Sequence, residues 1–578
     1  MTDWRRAFAH NRFQFAPHLT LLIFAGPILL GLFGTLLPAF GIQPMLGINA
    51  LDISTLDIST LGFSAWHNLF ADPAFAKSLS LTLVTGFGAT MIAVVIGFCG
   101  VALLHDSKAF ALLRALLAPA LAFPHASFAV GLAFLMAPSG WIARLLSPWA
   151  TGWIQPPDLL IIRDPDGLAL MISLALKESL FLILMIVGAL GQINSAHLLR
   201  SARSMGYSST YAWLKVVAPQ VYTQVRLPIY AMLASALAIV DMAIILGPTS
   251  PPSLAPMTLD WFRKLDSTRQ MMASAASILQ LLIVVGAVML WRGGERFSNR
   301  ITRRWLSDGT RRGMVGAICM GAGSIGVSLA LLASIGAFIM LFIWSFAWQW
   351  RWPDALPASW SFSNWAGAGN DLIMLTGRTA LIGLFASSIA TMLAIFCLEA
   401  GVGRAKPRWL ALIYVPLLMP QISFLFGIQL MWNRLWLDGS LVAVTLTHLL
   451  FVLPYVFLVL SDPYRALDPR IAIAARSLGS GQLRTLMKVK LPLLARPVAL
   501  ALAIGFAVSV GQYLPTIFAG AGRVDTLTTE AVALASGADR RLAGVTAFAL
   551  TALPFIALLL AYIVPHHLGP LGRLGRLG

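Results

Sequence analysis

Charge is what this sequence most clearly lacks. Asp, Glu, Lys and Arg make up only 11% of its 578 residues, whereas 58% are hydrophobic. A soluble globular chain carries about 25% charged residues. So few charges cannot keep the surface of a chain of this size hydrated, and most of that surface must face lipid. The composition therefore predicts a membrane protein and excludes an ordinary soluble domain.

Cysteine is also scarce, and its distribution excludes several kinds of site. The three cysteines, Cys99, Cys319 and Cys397, each lie inside an apolar run, where we expect them to be small buried hydrophobic residues. The sequence has no CxxC pattern and no Cys/His cluster, so it predicts neither a disulfide framework nor a metal site. We expect no cofactor in this chain.

The motifs of an ATPase or another enzyme are missing as well. A P-loop requires GxxxxGK[ST], and no lysine in this sequence follows a glycine. There is no convincing HExxH, GxSxG or paired-carboxylate site, and His197 and His448 stand alone. The chain is therefore not expected to be an enzyme.

The net charge of +18 reflects short basic stretches between apolar runs rather than one basic stripe. Seven arginines lie between residues 292 and 312, and Arg5, Arg6 and Arg12 precede the first apolar run. Basic residues concentrated in alternate loops, and so on one side of a bilayer, follow the positive-inside rule and disfavour nucleic-acid binding. This pattern predicts cytoplasmic N- and C-termini, with the first run kept as a membrane helix.

Long apolar runs are abundant, and a run of about twenty residues can cross a bilayer as one helix. The runs are continuous and lack the alternation of a transmembrane barrel, which predicts an all-α polytopic fold. We predict twelve spans in two sets of six, at 19–40, 79–104, 111–137, 168–192, 227–248, 273–291, 315–346, 378–400, 409–432, 440–461, 496–518 and 541–564.

The two sets of spans resemble copies of one another. A Pro-x2-Ser-Phe-x2-Gly motif occurs at 124–131 and again at 420–427. Ala-Arg-Ser-Met-Gly at 202–206 returns as Ala-Arg-Ser-Leu-Gly at 475–479, and each final glycine is followed thirteen residues later by a proline. Matches in the same order indicate an internal duplication, and an even number of spans per half makes the copies parallel.

The basic stretch joining the copies divides the chain. We predict an N-terminal segment, a first half, a basic cytoplasmic linker, a second half and a cytoplasmic tail, at 1–18, 19–292, 293–314, 315–565 and 566–578.

The second repeated motif lies in the longest basic loop of each half, 193–226 and 462–497. In the first copy, residues 195–205 suit a short helix that Gly206 can end in the left-handed conformation. A serine can then cap a second short helix, which is expected to stop near Pro219. Each copy therefore predicts a helix–turn–helix elbow in the cytoplasm, suited to docking another protein.

These elbows resemble the EAA loop in the permease subunits of binding-protein-dependent ABC importers, which reads Glu-Ala-Ala, three residues, Gly, and Leu-Pro further on. In that family the loop places a coupling helix in a cleft of the ATPase subunit. The resemblance implies an ATPase-coupling role for Ser201, Ala202, Gly206 and Pro219, and for Ala474, Ala475, Gly479 and Pro492. The Glu positions are Arg200 and Ile473, so no salt bridge of the family is carried over.

The resemblance covers nearly the whole chain, as two fused permease halves, and residues 511–534 are similar to the ferric-iron, thiamine and YnjC-type group. It implies a bacterial inner-membrane subunit that works with two P-loop ATPase subunits, which use ATP and magnesium, and with an external substrate-binding protein. Transport would proceed inward by alternating access. The substrate stays open among thiamine-like compounds, ferric iron and other small solutes.

Asp241 is the acidic residue that the sequence places well within a span, which makes it a candidate for the translocation path. Gln512, beside Tyr513, is the expected counterpart in the second half. Asp241 could instead lie near the outer end of its helix or only hold neighbouring helices together. The competing function, an ion-gradient-driven secondary transporter, would need intramembrane relays, for which Asp241 is the one candidate.

Overall fold

A computed structural model describes residues 15–42, 62–105, 107–401, 410–537 and 539–568. The three arginines near the N-terminus and most of the predicted tail lie outside these residues. The described residues are helical apart from loops and one short hairpin, which confirms the all-α polytopic fold.

The first half contains thirteen described helices. They are α1 (Ala16–Ala39), α2 (Ser64–Ala71), α3 (Phe75–Leu104), α4 (Lys108–Ala122), α5 (His125–Met136), α6 (Trp141–Leu146), α7 (Leu168–Leu190), α8 (Ser195–Ser204), α9 (Ser209–Ala212), α10 (Ala218–Leu237), α11 (Asp241–Leu246), α12 (Leu254–Arg263) and α13 (Ser267–Ser307).

The second half repeats this order and adds an antiparallel hairpin. Its elements are α14 (Met314–Phe346), β1 (Ala347–Gln349), β2 (Ser359–Trp360), α15 (Ser363–Glu399), α16 (Leu410–Leu418), α17 (Ile422–Arg434), α18 (Leu441–Ala466), α19 (Pro469–Ser477), α20 (Gln482–Thr485), α21 (Leu491–Leu493), α22 (Ala495–Val510), α23 (Leu514–Gly520), α24 (Leu527–Ala535) and α25 (Arg540–Leu568).

Nine helical segments in the described ranges are long and apolar enough to cross a membrane, or eleven if two bent pairs each count as one span. These segments overlap eleven of the twelve predicted spans. The exception is 227–248, because α10 ends at Leu237 and its first turns carry polar residues. Helix α13 is far longer than a span, since 41 residues extend about 60 Å.

Four predicted spans are not continuous helices, and the prediction that they are is wrong. The spans 111–137, 227–248, 409–432 and 496–518 break between α4 and α5, α10 and α11, α16 and α17, and α22 and α23. Two breaks have a direct cause in Pro124 and Pro420, because proline has no backbone N–H and pushes the preceding residue out of the helical region.

Each break frees a backbone carbonyl that accepts a hydrogen bond from a side chain. Lys177 Nζ donates to the Ala120 and Phe123 carbonyls at 3.0 and 2.5 Å. At the other breaks, Gln280 donates to Leu237 O at 2.6 Å, Ser423 to Pro420 O at 2.6 Å, and Thr528 to Val510 O. Away from water, such groups need a partner within the protein.

The first helix of each half packs against the other half. Helix α1 lies against α17, and α14 lies against α3 and α5. The contacts are close at the glycines of the duplicated motif: a methyl group on Gly427 would collide with the Gly31 carbonyl, and one on Gly131 would lie 2.6 Å from the Ala337 carbonyl. Small residues allow such helix crossings in membranes, so the motif marks the two crossing points.

We expect Gly427→Ala to destabilise the protein by about 1–3 kcal/mol, because the methyl group forces α1 and α17 apart. The change should appear as a lower midpoint of thermal unfolding in detergent. Gly286→Ala is the matched control, since no described atom lies within 4 Å of its added methyl group on α13. Equal midpoints for the two variants would contradict this account of the crossing.

We expect Lys177→Met to destabilise the protein by about 1–3 kcal/mol, because it leaves two buried carbonyls without their donor. Thermal unfolding in detergent measures this. Lys264→Met serves as control, because Lys264 is 49% exposed and pairs with the exposed Asp260. If the unfolding midpoint of Lys177→Met were no lower than that of Lys264→Met, the break between α4 and α5 would not need the lysine as a donor.

Candidate functional site: two elbows and a polar path

The first elbow forms as its residue pattern predicts. Helix α8 ends at Ser204, and Gly206 adopts a φ of +85°, which reverses the chain at little steric cost. Ser208 then caps the next helix, its hydroxyl accepting from the Tyr211 amide at 3.3 Å. The product is a helix, a tight turn and a second helix at one end of the bundle.

The second elbow repeats this geometry. Helix α19 begins with Asp468 as its cap, the carboxylate accepting from the Arg470 amide at 2.9 Å. Gly479 has a φ of +81°, and α20 follows. Gly206 and Gly479 thus hold the same turn, and the duplication seen in the sequence is also one of structure.

The second helix of the first elbow does not stop near Pro219, so that prediction is wrong, whereas in the second elbow the helical segment ends at Leu493, one residue after Pro492. A π-helical turn, Trp213–Val217 or Leu486–Lys490, continues the chain into the next helix. Pro219 and Pro492 then lie in the first turn of α10 and α21. Proline is accepted there because first-turn amides have no acceptor within the helix. In the second half, the chain bends by 83° after Leu493.

The eight residues implied by the motif all lie on the elbows, but they differ in exposure. Ala202 is buried at 1%, whereas Ser201 and Gly206 are exposed. In the second elbow, Ala474 and Gly479 are exposed. The coupling role of these residues remains a prediction.

Sequence reasoning missed the most prominent side chains of the elbows. Met205 is 56% exposed and Leu478 is 88% exposed, each directly before the glycine of its turn. The second elbow also exposes Ile473, Leu483 and Met487. The available signal was a large apolar residue directly before the glycine in both copies of the motif.

A buried carboxylate attaches each elbow to a neighbouring span. Glu295 on α13 accepts from the Tyr222 and Tyr230 hydroxyls of α10 at 2.6 and 2.9 Å and lies 3.3 Å from Arg226. Glu399 is the last residue of α15 and lies 2.6 Å from Lys490 Nζ, with the Tyr464 hydroxyl on the same carboxylate. Each carboxylate therefore links its elbow to a neighbouring span.

Asp241 lies at a break rather than in the middle of a continuous helix. It is the first residue of α11, is 8% exposed, and accepts a hydrogen bond from the Met242 amide at 2.9 Å. Its carboxylate interacts electrostatically with His125 on α5 and with Tyr513 in the other half.

Gln512 and Tyr513 lie at the corresponding break of the second half. Gln512 Oε1 accepts from Gln421 Nε2 at 3.4 Å, and Tyr513 is 7% exposed and hydrogen-bonded to Arg263 of the first half. The elbow glycines are 273 residues apart, and the same spacing relates Asp241 to Leu514. Gln512 therefore precedes the structural counterpart of Asp241 by two residues.

Asp241 is not the only acidic residue inside a predicted span, contrary to the sequence reading. Glu178 lies in the middle of α7, and its Oε1 is 3.5 Å from His125 Nε2. It also interacts electrostatically with Tyr455 on α18 of the second half. The adjacent charges Lys177 and Glu178 within an apolar run were the signal for this site.

Polar groups from both halves thus meet where the spans break. His125 and Gln421 occupy the same place, each directly after the proline of its broken span. In the described part of the chain no group of three or more His, Cys, Asp or Glu residues could hold a metal ion. The arrangement can form hydrogen bonds and attract a positively charged solute.

His448 does not belong to this set. Its two ring nitrogens lie 2.8 Å from Ser509 Oγ and 2.9 Å from Thr516 Oγ1, which ties α18 to both sides of the last break. The histidine is fully enclosed by these contacts and has a structural role.

Four tryptophans form a cluster with arginines, at residues 344, 348, 350 and 352. Three of them line a cavity of about 500 Å3 with Arg540 and Arg541. The Arg144 guanidinium lies 4.7 Å from the Trp350 ring centre. These contacts join α6 of the first half to the hairpin of the second.

Comparison with known proteins identifies the group to which the chain belongs, although no protein-family model matches it. It is 32% identical over 508 residues to the inner membrane ABC transporter permease protein YnjC of Escherichia coli, a match that spans 87% of this chain and 91% of that protein.

Two further relatives each match about a quarter of this chain, which is less than one of its two halves. The spermidine/putrescine transport system permease protein PotC of Escherichia coli is 24% identical over 153 residues, 26% of this chain and 58% of its own length. The putative ABC transporter permease protein ORF1 of Streptomyces antibioticus is 27% identical over 144 residues, 25% and 61%. The chain therefore belongs to the ABC transporter permeases, as a multi-pass subunit of the inner membrane.

Proposed function

We propose that this chain is the fused channel subunit of an ABC importer, driven by two ATPase subunits and supplied by an external binding protein. The observation that carries the proposal is the pair of elbows with identical turns at Gly206 and Gly479. Each presents one large apolar side chain at its tip, Met205 or Leu478. A large apolar side chain exposed at a protruding turn fits a cleft in a partner protein.

Both elbows lie in one chain, so one copy would serve one pair of ATPase subunits. The absence of a P-loop from the sequence requires the ATP and magnesium chemistry to occur in that partner. Placing the basic elbow loops and the 293–314 linker in the cytoplasm satisfies the positive-inside rule. The opposite end would then receive substrate from the binding protein.

The proposed mechanism is alternating access. Closure of the ATPase pair on ATP would displace the elbows, and the Glu295 and Glu399 attachments would carry the displacement to α13 and α15. The broken spans would then open the polar path outward, and ATP hydrolysis would reset it.

Glu178 and Asp241 favour a positively charged cargo. Both carboxylates are buried between the halves, where an ionised group needs a counter-charge. The PotC relatives are named for the transport of spermidine and putrescine. A small cationic solute is therefore the proposed class, and thiamine-like compounds and ferric iron fall within it.

An ion-gradient-driven secondary transporter is the second candidate. The contact between His125 and Glu178, with Asp241 nearby, supplies a possible proton relay. A secondary transporter would have no use for two elbows with matching glycine turns and exposed apolar tips. Collapse of the proton gradient at constant ATP separates the two functions, because only the secondary transporter would stop.

We expect the double variant Met205→Asp, Leu478→Asp to lose its ATPase subunits, since the aspartates replace apolar contacts with unpaired charges in the cleft. Affinity purification of the tagged chain from its own membranes in mild detergent measures this. Leu265→Asp is the control, because Leu265 is a fully exposed apolar residue that lies away from the elbows. Undiminished recovery of a P-loop ATPase with the double variant would rule out docking through these tips.

We expect Asp241→Asn to lower uptake of a cationic substrate about tenfold or more, because a paired charge contributes about 1.5–3 kcal/mol. Recovery of the ATPase subunits should be unchanged. Asp260→Asn is the control for the loss of one negative charge, because it removes a carboxylate that is 63% accessible to solvent. Uptake by Asp241→Asn equal to that of the control would exclude Asp241 from the path.

A further inference from the structure

The cavity of about 500 Å3 lies where helices α14 and α25 meet the hairpin. Helix α14 begins beside the first elbow, since a Tyr211 ring atom lies 3.1 Å from the methyl position on Gly316. The 33 residues of this helix extend about 50 Å toward the cavity, which is therefore at the opposite end of the bundle. Its lining consists of Trp344, Ala347, Trp348, Trp350, Asp539, Arg540 and Arg541.

The cavity lies at the boundary of the membrane-spanning segments. One candidate span ends at Phe346, two residues after Trp344, and another begins at Arg540. Tryptophan concentrates at the level of lipid headgroups, because its ring is apolar and its N–H is polar. The lining residues are thus placed where the headgroups of one leaflet reach them.

Two arginines from opposite halves converge beside this cavity without a carboxylate partner. Arg540 Nη2 donates to Ser139 Oγ at 2.9 Å. Arg144 is 6% exposed, and its guanidinium donates to three backbone carbonyls, one of them that of Ser139, at 2.7–3.1 Å. In the described part of the chain no carboxylate lies within 4 Å of either guanidinium, and the two charges repel each other. Such a pair favours an anion beside it, since buried charges need a counter-charge.

The other charges of the cavity do not neutralise this pair. Asp539 caps α25, its carboxylate accepting from the Arg541 and Leu542 amides at 2.9 and 3.3 Å. The same carboxylate lies 3.8 Å from Arg541 Nε. It is therefore shared between the helix start and Arg541, and the lining keeps the positive charge of Arg540.

The first half shows that the architecture does not require the two arginines of α25. Asp266 is the repeat counterpart of Asp539, 273 residues earlier, and caps α13 by accepting from the Thr268 amide at 2.9 Å. The residues after it are Ser267 and Thr268, where the second half has its arginines. Both helices start in the same way, so the arginines serve another purpose than starting the helix.

An aromatic seam, formed by Phe338, Phe342, Phe548 and Phe555, leads from the cavity toward the middle of the membrane. The Phe338 ring centre of α14 lies 5.6 and 6.1 Å from those of Phe548 and Phe555 of α25. Phe342, one turn nearer the cavity, lies 6.0 Å from Phe548. Arg541 is seven residues before Phe548 and so lies on the same face of α25. Phe338 and Phe342 are 39% and 46% exposed, so the seam offers an apolar surface to lipid chains.

We propose that this cavity binds an anionic phospholipid, with its phosphate on Arg540 and Arg541 and its acyl chains along the aromatic seam. The guanidinium groups supply the charge and the N–H donors that a phosphate accepts. The seam supplies an apolar surface that a free anion does not use. A water-soluble acidic protein segment can meet the arginines, but it cannot follow a seam between two membrane spans.

Native mass spectrometry of the full-length, delipidated chain in detergent tests this, with phosphatidylglycerol and phosphatidylcholine of the same acyl chains as probes. We expect wild type to retain one phosphatidylglycerol about tenfold more tightly than phosphatidylcholine, which equals about 1.4 kcal/mol. Equal retention of the two lipids would overturn the proposal and leave the arginines to an acidic segment of a protein partner.

The double variant Arg540→Ser, Arg541→Thr copies the first half and should lose this preference. The control, Arg269→Ser with Arg523→Thr, removes two arginines that each pair with a carboxylate, and it should keep the preference. Thermal unfolding without lipid shows whether each variant is folded, and Arg541→Thr alone replaces the double variant if that does not fold. A preference that survives the loss of the cavity arginines would place the lipid elsewhere and overturn the site.

Inorganic phosphate distinguishes a lipid headgroup from a free anion as the source of the phosphate. At the same concentration as the lipid it should not displace phosphatidylglycerol from wild type, because it makes no contact with the aromatic seam. Displacement at equal concentration would assign the cavity to a free anion and overturn the role of the seam.

Discussion

The structure depends on satisfying backbone groups where helices break inside the bilayer. A continuous helix pairs its own amides and carbonyls, but each broken span leaves carbonyls that water cannot reach. Lys177, Gln280 and Thr528 donate to those carbonyls from neighbouring segments, and Ser423 donates to the Pro420 carbonyl from the next turn of the same segment. The same breaks place His125, Asp241 and Gln512 at the start of new helices or between them, so the donors that stabilise the breaks also keep the polar path in place.

The duplicated halves share a backbone plan but not a distribution of charge. Helix breaks, elbow turns and crossing glycines recur in both, because they set the architecture. Glu178 and Asp241 belong to the first half alone, and the second half offers Gln421, Gln512 and Tyr513 in their place. A fused chain can vary its halves separately, which lets one wall of the path carry charge while the other supplies neutral hydrogen-bonding groups.

The features that were predicted from the sequence are those that local residue patterns determine. Eleven of the twelve predicted spans overlap segments long and apolar enough to cross a membrane. Glycine located both elbow turns and serine the cap of the first, since left-handed glycine and serine caps are local preferences. The break at 511–513 was not predicted, because apolar residues flank it on both sides and the single glutamine within it does not by itself indicate a break. The role of the Gly131 and Gly427 motifs in crossing was not predictable either, because a local pattern does not specify which distant helix will pack against it.

The packing of each half's first helix against the other half has a consequence for how the protein is synthesised and assembled. The Gly427 amide donates to Thr35 Oγ1 at 3.1 Å across 392 residues of chain. At about 5–20 residues per second, a ribosome needs about 20–80 s to produce the partner of α1 after α1 itself has entered the membrane. During that time the crossing face of α1 meets lipid or an insertion factor, and the first half stays open until α14 and α17 arrive. Assembly is therefore ordered by translation, and a nascent chain that stalls between the halves leaves an incomplete bundle that quality-control proteases can recognise.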